Sequence, residues 1–188
     1  SKVTAGIKTP LDFVGRVVGV YHGFDTDNVL KIMLRKGKID VNSVDIRQAG
    51  FTTAAFESGD FDVWPSYSFN EPLDMELKGI KTSCITPSQV GISYYSDSIV
   101  VRNDFLEKNE EVVKSFIRAA SKGWQFSMKN PSATIDNMYH MNLNLDDTSE
   151  RRTKEMKMLH EVNRLVKRDG KIALLSIDEL QTTKMLNS

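Results

Sequence analysis

An α/β segment followed by an all-helical one is the architecture that this sequence predicts, and three observations carry the prediction. Short apolar runs suited to strands alternate with helix-period patterns up to about residue 101, the spacing expected of a parallel sheet with right-handed crossovers. The stretch 16–37, RVVGVYHGFDTDNVLKIMLRKG, reads as a buried strand running through a tight loop into a helix, which is half of a βαβ unit. Past Arg102 only helical stripes remain.

The elements follow in order. Thr9 is placed to cap a short turn that has Pro10 at its first position and ends before Gly15. Val17, Val18, Val20 and Tyr21 form the first strand, and Val29, Leu30, Met33 and Leu34 share one face of the helix that Gly37 closes. Val44, Ile46 and Ala49 suggest a second strand, with a short helix from Thr52 to Phe56 that ends at Ser58 and Gly59. A third strand is expected over 61–64, then a helix from Asn70, its expected cap, to Lys78 and Gly79. Fourth and fifth strands are expected over 81–85 and 98–101.

Val112, Val113, Phe116, Ile117, Ala120 and Trp124 make the apolar stripe of a long helix that stops at Asn130, where Pro131 starts the next. Residues 148–167 form another helix, striped by Met156, Leu159, Val162 and Val166 and closed at Gly170; Ser176 and Glu179 have capping-box spacing for a last one. These helices carry apolar stripes without a strand-rich segment after Val101 to cover them. They pack on one another and on the first lobe, or belong to a sheet whose strands lie upstream of Ser1.

Composition narrows the function. The 25 basic residues balance 25 acidic ones, so no global field gathers nucleic acid or an anionic membrane. The apolar runs are interrupted by charges, which excludes a spanning helix, and there is no amino-terminal leader pattern. The chain opens on Ser1 rather than Met, so that last observation says nothing about compartment. The single cysteine, Cys84, rules out an internal disulfide; in the apolar phrase SCITP it reads as a buried structural thiol. His22, His140 and His160 fall in separate elements without a second His or Cys at ligand spacing, and no nucleophile or phosphate-loop motif occurs. No metal, cofactor or catalytic residue is assigned.

The loop from His22 to Asp25 is the first candidate for binding, because ligands of open parallel sheets gather where strand carboxyl ends meet helix amino ends. The alternative is that Gly23 makes a turn and Asp25 or Thr26 caps the helix.

Three phrases occur in a fixed order: IKTPLDFVGRVVGVYHG, FTTAAFESGDFDVWPSYSFNEPLDMELKGI and SQVGISYYSDSIVVRNDFLEKNEEVVKSFIRAASKGWQF. In them the chain resembles the solute-binding proteins of bacterial ABC importers, in the branch that serves sulfonates, nitrate, taurine and thiamine-pyrimidine precursors. The likeness runs from residue 7 to 126 and weakens after Asn130.

The resemblance implies a type II periplasmic-binding-protein-like fold, two α/β lobes with ligand in the cleft between them. On it, residues 10–93 are the second lobe with its parallel-type sheet, while 1–9 and 98–188 supply a hinge strand and the mostly helical remainder of the first lobe. The chain is then expected to be a fragment lacking the start of that lobe.

Carried over by position, the candidate ligand residues are His22, Phe24 and Asp25; Trp64, Ser66, Tyr67, Asn70 and Glu71; and Tyr94, Tyr95 and Asp97. Each group follows a predicted strand end or starts a helix, and aromatic faces beside a few polar groups suit a small-ligand pocket. Asp25, Asp27, Glu71 and Asp97 would repel an anion, with His22 the one cation expected nearby. A neutral or cationic, pyrimidine-like heterocycle is therefore the expected ligand.

The function that the resemblance implies is non-enzymatic capture of a small solute for a membrane permease, in the periplasm or another extracytoplasmic space. Related eukaryotic enzymes that make the thiamine pyrimidine carry a cysteine-rich motif that has no counterpart here. The alternative is a ligand-sensing extracytoplasmic domain controlling a kinase or cyclase. A third reading is a fragment that forms a homodimer through its exposed first-lobe remnant.

Overall fold

The computed structural model describes residues 1–92, 99–141, 145–168 and 171–172. The chain divides into two compact units, one holding residues 1–94 with 177–188 and the other residues 95–176. The first is α/β and the second is almost wholly helical, as the periodicities predict.

In the first unit, strand β1 (Val17–Val20) pairs in parallel with β2 (Asp45–Gln48), Val18 opposite Ile46 and Val20 opposite Gln48. Helix α1 (Asp25–Lys36) makes the crossover between them. Strand alternation sends Val18 and Val20 to one side, where they join Leu30 and Leu34 of α1 with Ile7, Phe13 and Val44 in a buried cluster. Gly19 faces the other way, toward a second cluster of Ala49, Phe56, Trp64 and Met75. Phe56 comes from α2 (Ala54–Ser58) and Met75 from α3 (Glu71–Leu77), so helices serve both clusters. Each fully buried side chain of this kind contributes roughly 1.5–3 kcal/mol of burial energy.

The third and fourth expected strands are reduced to single bridges. Val63 pairs in parallel with Val18, its N–H donating to Val17 and its carbonyl accepting from Gly19. The next donor in that ladder would be residue 65, and Pro65 has no N–H to give. Thr82 makes one antiparallel bridge to Lys2, after which the chain enters a 3-10 turn over Val3–Ala5 and leaves the pairing. Cys84 is consequently exposed, not buried: Ile85 packs inward against the α1-side cluster and its neighbour alternates outward. Asn70 stands at the cap position of α3 without a side-chain capping bond. The Thr9–Pro10 start holds, since Thr9 and Asp12 form a capping box around the turn Pro10–Phe13.

The second unit contains α4 (Asn103–Lys108), α5 (Glu110–Lys129), α6 (Pro131–Met141), α7 (Ser149–Val166) and a minimal antiparallel pair, β3 (Lys167–Arg168) with β4 (Lys171–Ile172). Residues 99–101, expected to be a strand, form no regular element. Pro131 opens α6 as predicted, and Thr148 accepts the Arg151 N–H at 3.2 Å ahead of α7. Ser127 of α5 donates to Asn163 of α7 at 3.0 Å, and Ile135 and Tyr139 of α6 are buried. Arg152 ties Asp147 and Asp136 together while its guanidinium lies 4.8 Å from the Tyr139 ring centre. The α5 stripe is covered only in part: Val113, Ala120 and Trp124 are half-buried, whereas Val112, Phe116 and Ile117 are exposed. Gly170 and the expected Ser176 helix lie outside the described residues.

Candidate functional site

The carboxyl ends of β1, β2 and the Val63 bridge lie side by side, and the segments that leave them carry the candidate residues. Tyr21 follows β1 and is fastened at its backbone: its N–H donates to Thr26 Oγ1 at 3.0 Å, and its carbonyl accepts from Phe24 N–H at 3.0 Å. Gly23, at φ 83°, permits the turn that joins them. Thr26 thus bonds back to the strand, and Phe24, the residue at the helix cap, offers no capping side chain.

His22 is exposed and its N–H donates to Gln48 Oε1 at 2.9 Å, joining the β1 loop to the end of β2. Its ring Nδ1 lies 3.3 Å from Asp27 Oδ2, and Lys31 Nζ lies 3.0 Å from the other Asp27 oxygen. Burial pushes the Asp27 pKa up, but Lys31 and His22 together pull harder, and the net shift is downward. The charge count read from sequence is corrected here: His22 is not the one cation near the loop, because Lys31 reaches back four residues to Asp27. Asp25 stays exposed.

Beyond the bridge strand, Glu71 closes a turn on itself. Its Oε2 accepts the Tyr67 N–H at 2.9 Å, and its Oε1 accepts Asn70 Nδ2 at 3.2 Å. Tyr67 is half exposed and stacked on Phe69, ring centres 5.3 Å apart. Trp64 is only 8% exposed and belongs to the core cluster, its ring edge-on to Phe61 at 5.1 Å. Ser66 is exposed. Tyr21 packs against the cluster that holds Trp64, and burial, then the Glu71 charge, raise the pKa of its phenol.

The structure therefore brings His22, Phe24 and Asp25 to the same end of the sheet as Trp64, Tyr67, Asn70 and Glu71, with Tyr21 leaving the end of β1. Tyr94, Tyr95 and Asp97 lie outside the described residues. Sequence reasoning missed Tyr21, Gln48 and Phe51. Phe51 stacks on Tyr21, centres 5.6 Å apart and planes 13° from parallel, while Phe24 stands edge-on to Tyr21 at 6.4 Å. The rule applied to the end of the first strand would have found Phe51 if applied equally to the second. The arrangement offers aromatic faces, a carboxylate that accepts hydrogen bonds and a paired Asp27, which suits binding. His140 and His160 are exposed on α6 and α7, and among the described residues no group of His, Cys, Asp and Glu is placed to hold a metal.

Comparison with known proteins extends this. The family described as NMT1/THI5 like matches residues 1–134. A formylaminopyrimidine-binding protein of Halalkalibacterium halodurans is 30% identical over 132 residues, covering 68% of this chain and 40% of that protein. The riboflavin-binding protein RibY of Chloroflexus aurantiacus is 26% identical over 127 residues, covering 66% of this chain and 36% of RibY. The matched region thus spans about two fifths of each relative's own length.

Proposed function

The chain belongs to the NMT1/THI5-like family, and from that premise we propose that it binds a small, flat, nitrogen-containing heterocycle at the carboxyl end of β1, without chemically transforming it. The observation that carries the proposal is the position of Tyr21, whose backbone is fixed by Thr26, whose side chain packs against the cluster that holds Trp64, and whose ring carries Phe51. Aromatic faces stack on a planar ligand, and the Glu71 carboxylate accepts the N–H groups of an aminopyrimidine while repelling the anionic group of a sulfonate or nitrate. Both named relatives are binding proteins for flat nitrogen heterocycles, which supports the same class here.

In this reading His22, Phe24, Asp25, Tyr67, Asn70 and Glu71 form one wall of a ligand cleft, with Trp64 supporting Tyr21 from the core. Ligand that touches a second wall only in a closed state stabilises that state by its differential affinity. The closed form would then be presented, outside the cytoplasm, to an ABC permease.

A thermal-shift screen of the intact protein against 4-amino-2-methylpyrimidine, riboflavin, taurine and nitrate tests the ligand class. The proposal expects Tm to rise with the heterocycles. Stabilisation by taurine or nitrate alone would overturn it.

A further inference from the structure

We infer that Asp27 is a positioning residue for ligand selection: by accepting the His22 Nδ1 proton it leaves Nε2 as a hydrogen-bond acceptor, so the site favours a ligand edge that presents an N–H over one that presents a carbonyl. The inference rests on the binding function proposed above and concerns which edge of the heterocycle is selected.

His22 stands where β1 ends and is held at two points. Its backbone N–H donates to Gln48 Oε1 at 2.9 Å, and Gln48 Nε2 in turn donates to the Ala49 carbonyl at 2.8 Å. Its ring Nδ1 lies 3.3 Å from Asp27 Oδ2. The Asp27 side chain is 13% exposed against 53% for His22, so the carboxylate is the inner member of the pair and the imidazole the outer one. Lys31 Nζ anchors Asp27 from the other side, 3.0 Å from Oδ1.

The protonation pattern follows from these contacts. Burial pushes the Asp27 carboxyl up, but Lys31 and His22 outweigh it and hold the group below its ordinary range, so it is ionised at neutral pH. An ionised carboxylate only accepts, and the Nδ1 facing it therefore carries a proton. In a neutral imidazole the second nitrogen is then a bare acceptor. Among the described residues Nε2 has no hydrogen-bond partner, which leaves it to a ligand.

A ligand N–H aimed at Nε2 gains a hydrogen bond, whereas a carbonyl in its place meets a second acceptor. At a half-exposed ring that difference should change affinity by about three- to tenfold. Asp27→Asn should undo it. Lys31 offers donors only, so the amide oxygen turns to Lys31 and the amide NH2 to His22 Nδ1; Nδ1 then accepts and the ring proton sits on Nε2.

Isothermal titration of the intact protein with 4-amino-2-methylpyrimidine and 2-methylpyrimidin-4-one tests this on the native protein, Asp27→Asn, His22→Ala and the double variant, at about pH 8, above the ordinary imidazole range. Glu71 also prefers donors, so the readout is the change in preference between proteins. The native preference for the amino compound should shrink by about three- to tenfold in Asp27→Asn and in His22→Ala, and the double variant should match His22→Ala within about twofold. Nitrogen NMR of the labelled imidazole should find the proton on Nδ1 in the native protein and on Nε2 in Asp27→Asn. An unchanged preference in Asp27→Asn, a further loss in the double variant, or a native ring protonated on Nε2 would overturn the inference while leaving the binding function standing. Failure of both pyrimidines to bind the native protein would overturn it too, and if riboflavin also failed to bind, the proposed function would fall with it.

Discussion

Thr26 Oγ1 accepts the backbone N–H of Tyr21 at 3.0 Å, so the first turn of α1 holds the residue that leaves β1. That contact joins the crossover to the candidate site: the same Tyr21 packs against the cluster that holds Trp64 and carries Phe51. Thr26→Ala leaves a half-buried amide without its acceptor and should cost about 1–2 kcal/mol in chemical denaturation. Thr26→Ser keeps the hydroxyl and should restore most of that loss. Equal destabilisation by both substitutions would show that the methyl group, not the hydrogen bond, is what matters.

Gly19 is the second point of tight fit. A Cβ there would lie 3.1 Å from Pro65 Cδ, 3.2 Å from Ala49 Cβ and 3.3 Å from Phe61 Cδ1, all in a packed interior. Gly19→Ala should therefore destabilise the protein by about 1–3 kcal/mol through overpacking, measured from the denaturation midpoint. An unchanged midpoint would mean that the Pro65 segment yields without cost.

The Asp27 carboxylate titrates below its ordinary value because Lys31 and His22 outweigh its burial. A depressed folded-state pKa gives stability that is present above the unfolded carboxylate pKa and lost as pH falls through the folded one. Asp27→Asn should lower stability by about 0.5 kcal/mol at neutral pH, the half-exposed Lys31 limiting the gain. The difference between the two proteins should close in acid, below the normal carboxylate range. A gap that stays constant down to acid pH would assign the effect to packing.

In the helical unit the Tyr139 hydroxyl is buried and finds no hydrogen-bond partner among the described residues. Burial is also the largest cause of its raised pKa, followed by the charge of Glu155. Tyr139→Phe removes the unsatisfied group while keeping the ring beneath Arg152, and should stabilise by about 1 kcal/mol. Destabilisation would reveal a partner for that hydroxyl.

The parallel β1–α1–β2 unit was legible in the sequence because Val18, Val20, Leu30 and Leu34 repeat at the periods of strand and helix, and burial enforces both. The lengths of the third and fourth strands were not, since apolar composition at Phe61 and Val63 says nothing of which donor comes next. There Pro65 ends the ladder, a rule readable only once the register is known. The candidate residues were named from their place after strand ends, and the fold does set His22 and Tyr67 there. Their pairing was not legible: the Tyr21–Phe51 stack and the His22–Gln48 bond join positions thirty and twenty-six residues apart in the chain. The Asp27–Lys31 pair, by contrast, was within reach of helix spacing alone.

Glu71 is the half-buried carboxylate that accepts the Tyr67 N–H at the carboxyl end of the sheet. The decisive measurement is isothermal titration of the native protein and Glu71→Gln with 4-amino-2-methylpyrimidine, each checked for a native Tm. A hydrogen bond to a charged group is worth roughly 1.5–3 kcal/mol, so the substitution should weaken binding by about ten- to a hundredfold. Equal affinity in the two proteins would contradict a site at the carboxyl end of β1.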